Sequence, residues 1–204
     1  MELREALSQI AEIRARVAAA ERFDGYRAAP VAVTGLLAVL VAVVQPLLVP
    51  DPVVDLTGYL ALWLGTAAVA AAVAGSGIWL RHRRNTRPLA KQVTWLAVGQ
   101  FAPCLIAGGL VTLVIARRAP DYAALLPGLW QVLFSLGVFA SWRLMPRAVL
   151  AVGVFYLLAG AVNLARGPDA AFAPWAMGVP FGLGQLLTAT VLYWNLERDP
   201  HAPA

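Results

Sequence analysis

Charged residues are scarce in this sequence. Of its 204 residues, 60% are hydrophobic and only 13% are charged, and the mean hydropathy is +0.71. A soluble domain of this length carries about a quarter charged residues. The apolar residues also form long uncharged blocks rather than short periodic stripes. This pattern excludes a large soluble core and indicates exposure to lipid.

Cysteine and histidine are nearly absent as well. Because Cys104 is the one cysteine, an internal disulfide and a CxxC redox or zinc motif are excluded. The two histidines, His82 and His201, fall in a basic segment and in the C-terminal tail, where neither can ligate haem or another metal at membrane depth. We therefore expect no metal site and no cofactor.

The apolar blocks also lack the groups that catalysis needs. They contain no Asp, Glu, Lys, Arg or His, whereas hydrolysis inside a membrane requires a nucleophile with a base, or paired carboxylates. Ion-coupled transporters likewise place acidic or histidine side chains in the bundle. The segments between the blocks are too short to build an active site of their own. We expect a protein that is not an enzyme, and we assign no catalytic residue.

What the sequence has instead is six stretches that are long enough, or nearly so, to cross a membrane, for which about 20 helical residues are needed. They are residues 31–49, 58–80, 93–116, 125–142, 148–165 and 174–196. The fourth and fifth are joined only by RLMPR, which predicts a tight helical hairpin. The sequence thus predicts an all-α polytopic integral membrane protein, with six helices in one bundle over residues 29–197 and a tail over 198–204.

Residues 1–28 are predicted to form a cytoplasmic amphipathic helix, over residues 1–22, and a turn. Its apolar residues recur at spacings of three and four and are Leu3, Leu7, Ile10, Ile13 and Val17. The segment has as many acids as bases and no aromatic before Phe23, unlike most helices that lie on membranes. This favours packing on a partner, on a second copy or on the inner loops, while a helix resting at the interface stays open.

The distribution of basic residues predicts the orientation. With the N-terminus inside, 13 of the 16 basic residues lie on the inner side and three, Arg117, Arg118 and Arg166, on the outer side. The positive-inside rule then places both termini in the cytoplasm. Fifteen of the 16 are arginine, which together with abundant Ala and Val suggests a GC-rich bacterial gene and hence a bacterial inner membrane.

One segment, RHRRNTRPLAKQ, combines five fixed positive charges with no acid. Its basic residues are Arg81, Arg83, Arg84, Arg87 and Lys91. It is predicted to fix the topology and to contact anionic lipid headgroups, at about 1 kcal/mol per basic residue near the surface. Because the positive charge of the chain follows the ends of apolar blocks, nucleic acid is not an expected partner.

Amides and prolines are the polar features inside the predicted spans. Gln100 and Pro103 lie on the third span, Pro180 and Gln185 on the sixth, and Gln131 on the fourth. In one interpretation, the three glutamines make hydrogen bonds between helices while the prolines kink them. In the other, the glutamines line a small polar cavity beside the carbonyl groups that the prolines leave free. The sequence favours the structural interpretation without excluding the second.

Three classes of function follow from these features. The first is a non-catalytic membrane protein that scaffolds or regulates a partner through residues 1–22 and the basic segment. The second is a facilitator of a neutral or weakly polar solute, with a path near Gln100, Gln131 and Gln185. The third is a subunit of an enzyme that acts on lipid at the inner interface. The sequence favours the first.

Overall fold

The computed structural model describes residues 27–84 and 88–198. The predicted amphipathic helix of residues 1–22 and residues 199–204 of the tail lie outside the described residues. Within them the chain is helical and contains no strand. The six long helices are α1 (Ala28–Leu48), α2 (Leu56–Arg84), α3 (Pro88–Arg118), α4 (Leu126–Ser141), α5 (Val149–Ala165) and α6 (Pro174–Leu192).

Five helical stretches are long and apolar enough to cross a membrane, and α5, with 17 residues, is the shorter sixth. The chain is therefore compatible with a multi-pass membrane protein. The fourth stretch is not one regular helix, because 3₁₀ turns at Pro120–Leu125 and Trp142–Leu144 flank α4. A π-helical turn, Tyr193–Glu197, extends α6, and a one-turn helix, Pro168–Ala171, precedes it.

Helices α2 and α3 are longer than the sequence predicted. They have 29 and 31 residues, so they extend over about 44 Å and 46 Å at 1.5 Å per residue, against about 30 Å for a hydrocarbon core. Both run past their apolar stretches into the basic segment at residues 81–84 and 88–91. The reason is that Arg, Lys, Leu and Ala are good helix formers, so a change from apolar to charged residues does not end a helix.

The six helices alternate in direction, which places the connecting segments at two opposite ends. Residues 49–55, 119–125 and 166–173 form the aspartate end, which carries Asp51, Asp55, Asp121 and Asp169. The arginine end comprises the start of α1, the α2–α3 connection, the α4–α5 connection and the end of α6. Its described basic residues include Arg27, Arg83, Arg143, Arg147 and Arg198.

The main apolar core lies towards the aspartate end. Its buried residues come from α1, α2, α4, α6 and the connections between them, and they are Val41, Val49, Tyr59, Trp63, Ala123, Leu126, Phe172 and Met177. A smaller buried group at the arginine end joins the start of α1 to the end of α6 through Ala28, Val31, Ala189 and Leu192. The ends of the helices are therefore held together by different sets of contacts.

Glycine sets the closest helix contacts. A Cβ added at Gly128 of α4 would lie 2.9 Å from the carbonyl oxygen of Gly160, and one added at Gly160 of α5 would lie 2.9 Å from that of Gly128. The predicted tight hairpin of the fourth and fifth spans is thus a backbone-to-backbone contact. On α6, Gly178 faces Ala42 of α1 and Gly182 faces Val39, so this pair of helices also packs closely.

Helices α2 and α3 pack differently, because each is covered along one face only. Helix α2 packs on α1, and Gly77 of α2 lies against Pro30. Helix α3 packs on α4. A Cβ added at Gly65 or Gly75 of α2, or at Gly99 or Gly109 of α3, would meet nothing within 4 Å. The outer faces of both helices are thus free of contact with the described part of the chain.

Candidate functional site

Gln131 lies at the centre of a buried hydrogen-bonded group that joins three helices. Its side chain is fully buried, and its Nε2 donates to the carbonyl oxygen of Ala176 on α6 at 2.8 Å. Asn163 of α5 donates from Nδ2 both to Gln131 Oε1, at 2.9 Å, and to the same Ala176 oxygen, at 2.8 Å. Gln131 therefore makes hydrogen bonds between helices, and its polar atoms are turned towards protein.

Pro180 explains why these amides meet at Ala176. In an α-helix the carbonyl of Ala176 would accept a hydrogen bond from the amide of residue 180, and proline has none to donate. A carbonyl left unbonded inside a protein costs about 1–3 kcal/mol. Two amide donors from neighbouring helices satisfy it here, so the proline and the amides form one structural unit.

A second buried amide, Gln45 of α1, was not singled out from the sequence. Its Nε2 donates to the carbonyl oxygen of Phe172 at 2.8 Å, and its Oε1 accepts from Trp63 Nε1 at 2.9 Å. This ties α1 to α2 and to the connection before α6. Trp63 is buried, so it belongs to the interior rather than to an interfacial belt. The available signal was an amide directly before a proline, Pro46, in an apolar stretch.

The pair Gln100 and Pro103 on α3 is arranged differently. Pro103 also lies inside a helix and leaves the carbonyl of Gly99 without its helical donor. No side chain among the described residues donates to that carbonyl. Gln100 is half-buried, and its Oε1 is enclosed but has no hydrogen-bond partner. Of the three predicted glutamines, Gln100 is the one with a buried polar atom that has no hydrogen-bond partner among the described residues.

Gln185 lies between α1 and α5. A Cβ added at Gly35 would lie 3.1 Å from Gln185 Cβ, and the Tyr156 hydroxyl faces the Gln185 side chain. Tyr156 is fully buried, and its hydroxyl makes no hydrogen bond of acceptable geometry. Its ring lies on the backbone of α6 at Gly184, where a Cβ would overlap it. Tyr156 was not predicted, because tyrosine in an apolar stretch carries no spacing signal.

Four aromatic rings from four helices form a cluster inside the bundle. The rings of Phe101, Phe134, Tyr156 and Phe181 come from α3, α4, α5 and α6, with centroids 4.7–5.5 Å apart along the contacts. Gln100 and Gln185 lie on the arginine-end side of this cluster, one residue and four residues from their ring-bearing neighbours. The structure does not join these two glutamines by a hydrogen bond.

Four arginines stack on tryptophans near the helix ends. The guanidinium carbon lies 3.8 Å from the ring centroid for Arg83 on Trp79 and for Arg198 on Trp194. The distances for the other pairs are 5.8 Å for Arg143 with Trp142 and 4.1 Å for Arg166 with Trp175. Of the five basic residues predicted to contact lipid, Arg83 is the one whose side chain the structure describes; the side chains of Arg81, Arg84, Arg87 and Lys91 lie outside the description.

The chemistry available inside the bundle is that of neutral amides, hydroxyls and aromatic rings. Across residues 27–84 and 88–198, no three His, Cys, Asp or Glu side chains gather as metal ligands would. Ser135 and Ser141 each donate to a carbonyl of their own helix. These groups can bind by hydrogen bonding and can hold helices together.

No family model, no curated protein and no solved structure matches the chain.

Proposed function

We propose that the chain is a non-catalytic, multi-pass protein of a bacterial inner membrane that holds a protein partner at its cytoplasmic face. Six helices span the membrane, and both termini and the arginine end face the cytoplasm. The partner contacts residues 1–22, which the sequence predicts to form a cytoplasmic helix, and the connection between α2 and α3. Of the three glutamines considered for a transport path, Gln131 makes hydrogen bonds to two other helices and so serves helix packing. This favours the proposal over a transport function.

The length of α2 and α3 is the observation that carries the proposal. The apolar spans that the sequence predicts on these two helices are residues 58–80 and 93–116. Helix α2 continues to Arg84 and α3 begins at Pro88, so about 6 Å and about 8 Å of helix extend beyond these spans. The other four long helices have 16–21 residues and do not project in this way.

The test is site-specific crosslinking in intact membranes. A photo-crosslinking amino acid is placed at position 87, between α2 and α3 in the sequence, and in a matched variant at position 118, at the aspartate end. We expect one discrete crosslinked protein from position 87, none of it from position 118, and its loss on deletion of residues 1–22. If position 87 yields no discrete product, or if the product survives the deletion unchanged, the proposed mode of binding is wrong.

A second candidate, passage of a small neutral polar solute, is favoured by the unpartnered polar atoms. Gln100 Oε1 and the Tyr156 hydroxyl are buried without hydrogen-bond partners, and Gln185 faces the latter. Replacing Gln100 and Gln185 together with Leu should abolish flux of such a solute in liposomes. Gln131→Leu is the control, because its bonds are structural and it should change stability alone. Equal flux in the wild type and the double variant excludes this candidate.

A further inference from the structure

The segment that includes α2 and α3 is positively charged and contains no acidic residue. Residues 56–118 contain seven Arg or Lys residues and no Asp or Glu. Five of the seven fall at residues 81–91, beside the arginine end, and two at 117–118. A charge of this size at the boundary of a membrane favours an anionic counterpart there. The segment of residues 56–118 is the most basic part of the chain, so an anionic ligand is expected to bind beside it.

The guanidinium of Arg83 is positioned to bind an anion. It is exposed, it stacks on Trp79, and no acidic side chain in the described part of the chain pairs with it. Stacking holds the planar guanidinium while leaving its edge N–H groups free to donate, and their fork geometry suits a phosphate. The apolar stretch of α2 ends at Leu80, so Arg83 lies one turn beyond it, at the level of lipid headgroups.

The opposite end of the molecule shows the contrast. Arg166 also stacks on a tryptophan, Trp175, but its guanidinium reaches Asn163 Oδ1 at 3.5 Å and so remains connected to the buried amides. Arg198 on Trp194 repeats the Arg83 arrangement at the arginine end, with the same spacing of four residues and the same 3.8 Å distance. Within the described part of the chain, Arg83 and Arg198 at the arginine end thus stack on tryptophan without an acidic partner.

A row of exposed residues leads along α2 to Arg83. Ala67, Ala71, Gly75, Trp79 and Arg83 recur at every fourth position, and all five are exposed. The row winds around the helix by about 40° at each step. From Ala67 to Trp79 the row extends about 18 Å, close to one leaflet of a core about 30 Å thick. An acyl chain lying along this row would contact the helix backbone closely, because small side chains allow it.

From the charge, the stacked guanidinium and the length of this face, we propose that the arginine end of α2 binds an anionic phospholipid. The Arg83–Trp79 pair binds the phosphate, and the row from Ala67 to Gly75 accommodates one acyl chain. This site rests on the proposed membrane insertion but not on the proposed protein partner. A lipid matches the face better than free phosphate does, because the row continues for the depth of a leaflet.

Native mass spectrometry of the detergent-purified full chain tests the proposal. Phosphatidylglycerol is titrated against the protein, with phosphatidylcholine of the same acyl chains and soluble glycerol 3-phosphate as separate arms. We expect retention of phosphatidylglycerol, several-fold weaker retention of phosphatidylcholine, and no retention of glycerol 3-phosphate. Equal retention of the two lipids would overturn the charge argument. Retention of glycerol 3-phosphate would show an anion site without a lipid site.

Variants then locate the site. Arg83→Gln should weaken phosphatidylglycerol binding about fivefold, the factor that corresponds to about 1 kcal/mol per basic residue near an anionic surface. Arg166→Gln, the stacked arginine of the other end, should leave binding unchanged. Arg83→Lys keeps the charge but loses the fork, so it should fall between the two.

The row of small residues from Ala67 to Gly75 is tested with one variant and a matched control. Gly75→Leu should weaken binding, whereas Gly109→Leu on α3 should not, and a Cβ meets nothing within 4 Å at either position, so both should fold. Helix content by circular dichroism checks this. Equal effects of Arg83→Gln and Arg166→Gln would exclude the site. If lipid binding fails while crosslinking at position 87 persists, the lipid site alone is wrong.

Discussion

Gln131 donates its side-chain N–H to the carbonyl oxygen of Ala176 at 2.8 Å, and this is the carbonyl that Pro180 leaves without a helical donor. A proline inside a transmembrane helix is tolerated when neighbouring side chains satisfy the freed backbone group. Here Asn163 supplies a second donor to the same oxygen. The amides of Gln131 on α4 and Asn163 on α5 therefore stabilise the bundle together with the carbonyl that Pro180 leaves free on α6.

Replacing Gln131 with Leu should lower the free energy of unfolding by about 1–2 kcal/mol. The change removes two interhelical hydrogen bonds, each worth about 0.6 kcal/mol on average and up to about 1.7 kcal/mol in a membrane protein. Unfolding in mixed detergent–denaturant solution measures the difference. Thr190→Val is the control, since Thr190 is exposed and bonds only within its own helix, to Leu186. Equal losses in both variants would contradict the structural role of Gln131.

The link between Pro180 and Gln131 can be tested by a double-mutant cycle. Pro180→Ala restores an N–H that can bond Ala176, so Gln131 has less to contribute in that background. We expect the cost of Gln131→Leu to fall by about 0.5–1 kcal/mol when Ala occupies position 180. Gln45→Leu, which acts on Phe172, should cost the same in both backgrounds. Additivity of the Gln131 and Pro180 changes would show that the two are independent.

Replacing Trp63 with Phe should destabilise the protein by about 1–3 kcal/mol. The change removes the Nε1–H donor to Gln45 Oε1 and leaves a buried acceptor without its bond. Trp194→Phe serves as the comparison, because Trp194 is exposed and a phenyl ring can still face Arg198. Denaturation of both variants under one set of conditions gives the difference, and a Trp63 variant as stable as the Trp194 variant would refute the prediction.

The sequence predicts the helices well because uncharged blocks of about 20 residues have few other solutions in lipid. It does not predict where α2 and α3 end, since helix formation continues into charged residues. It also does not predict that Gln131 meets Asn163 and Ala176. That meeting depends on how three helices are rotated against one another, and a pattern within one helix carries no such information. Tyr156 has no spacing signal in its apolar stretch, whereas the position of Gln45 directly before Pro46 is a signal that the sequence does contain.

Glycine substitutions should separate the packed helices from the open ones. Gly160→Ala should destabilise the protein by about 1–3 kcal/mol, because the new methyl group lies 2.9 Å from the Gly128 carbonyl oxygen and the backbones must separate. Gly75→Ala meets nothing within 4 Å and should be neutral, or stabilising by up to about 1 kcal/mol through helix propensity. Thermal unfolding of the two variants in one detergent compares them directly. A Gly160 variant that unfolds no earlier than the Gly75 variant would contradict the close contact of α4 and α5.

The proposed orientation predicts which end reacts with a membrane-impermeant thiol reagent in intact cells. Cys104 is half-buried in α3, so Cys104→Ala provides a cysteine-free background. Into it we place Val54→Cys at the aspartate end, where the native side chain is 83% exposed, or Arg147→Cys at the arginine end, which is also exposed. Because 13 of the 16 basic residues lie on the proposed cytoplasmic side, position 54 should be labelled from outside and position 147 only after the cells are permeabilised. The reverse pattern would place the arginine end outside, and with it the connection between α2 and α3 and the lipid site. Labelling of both positions in intact cells would mean that the chain lacks one fixed orientation.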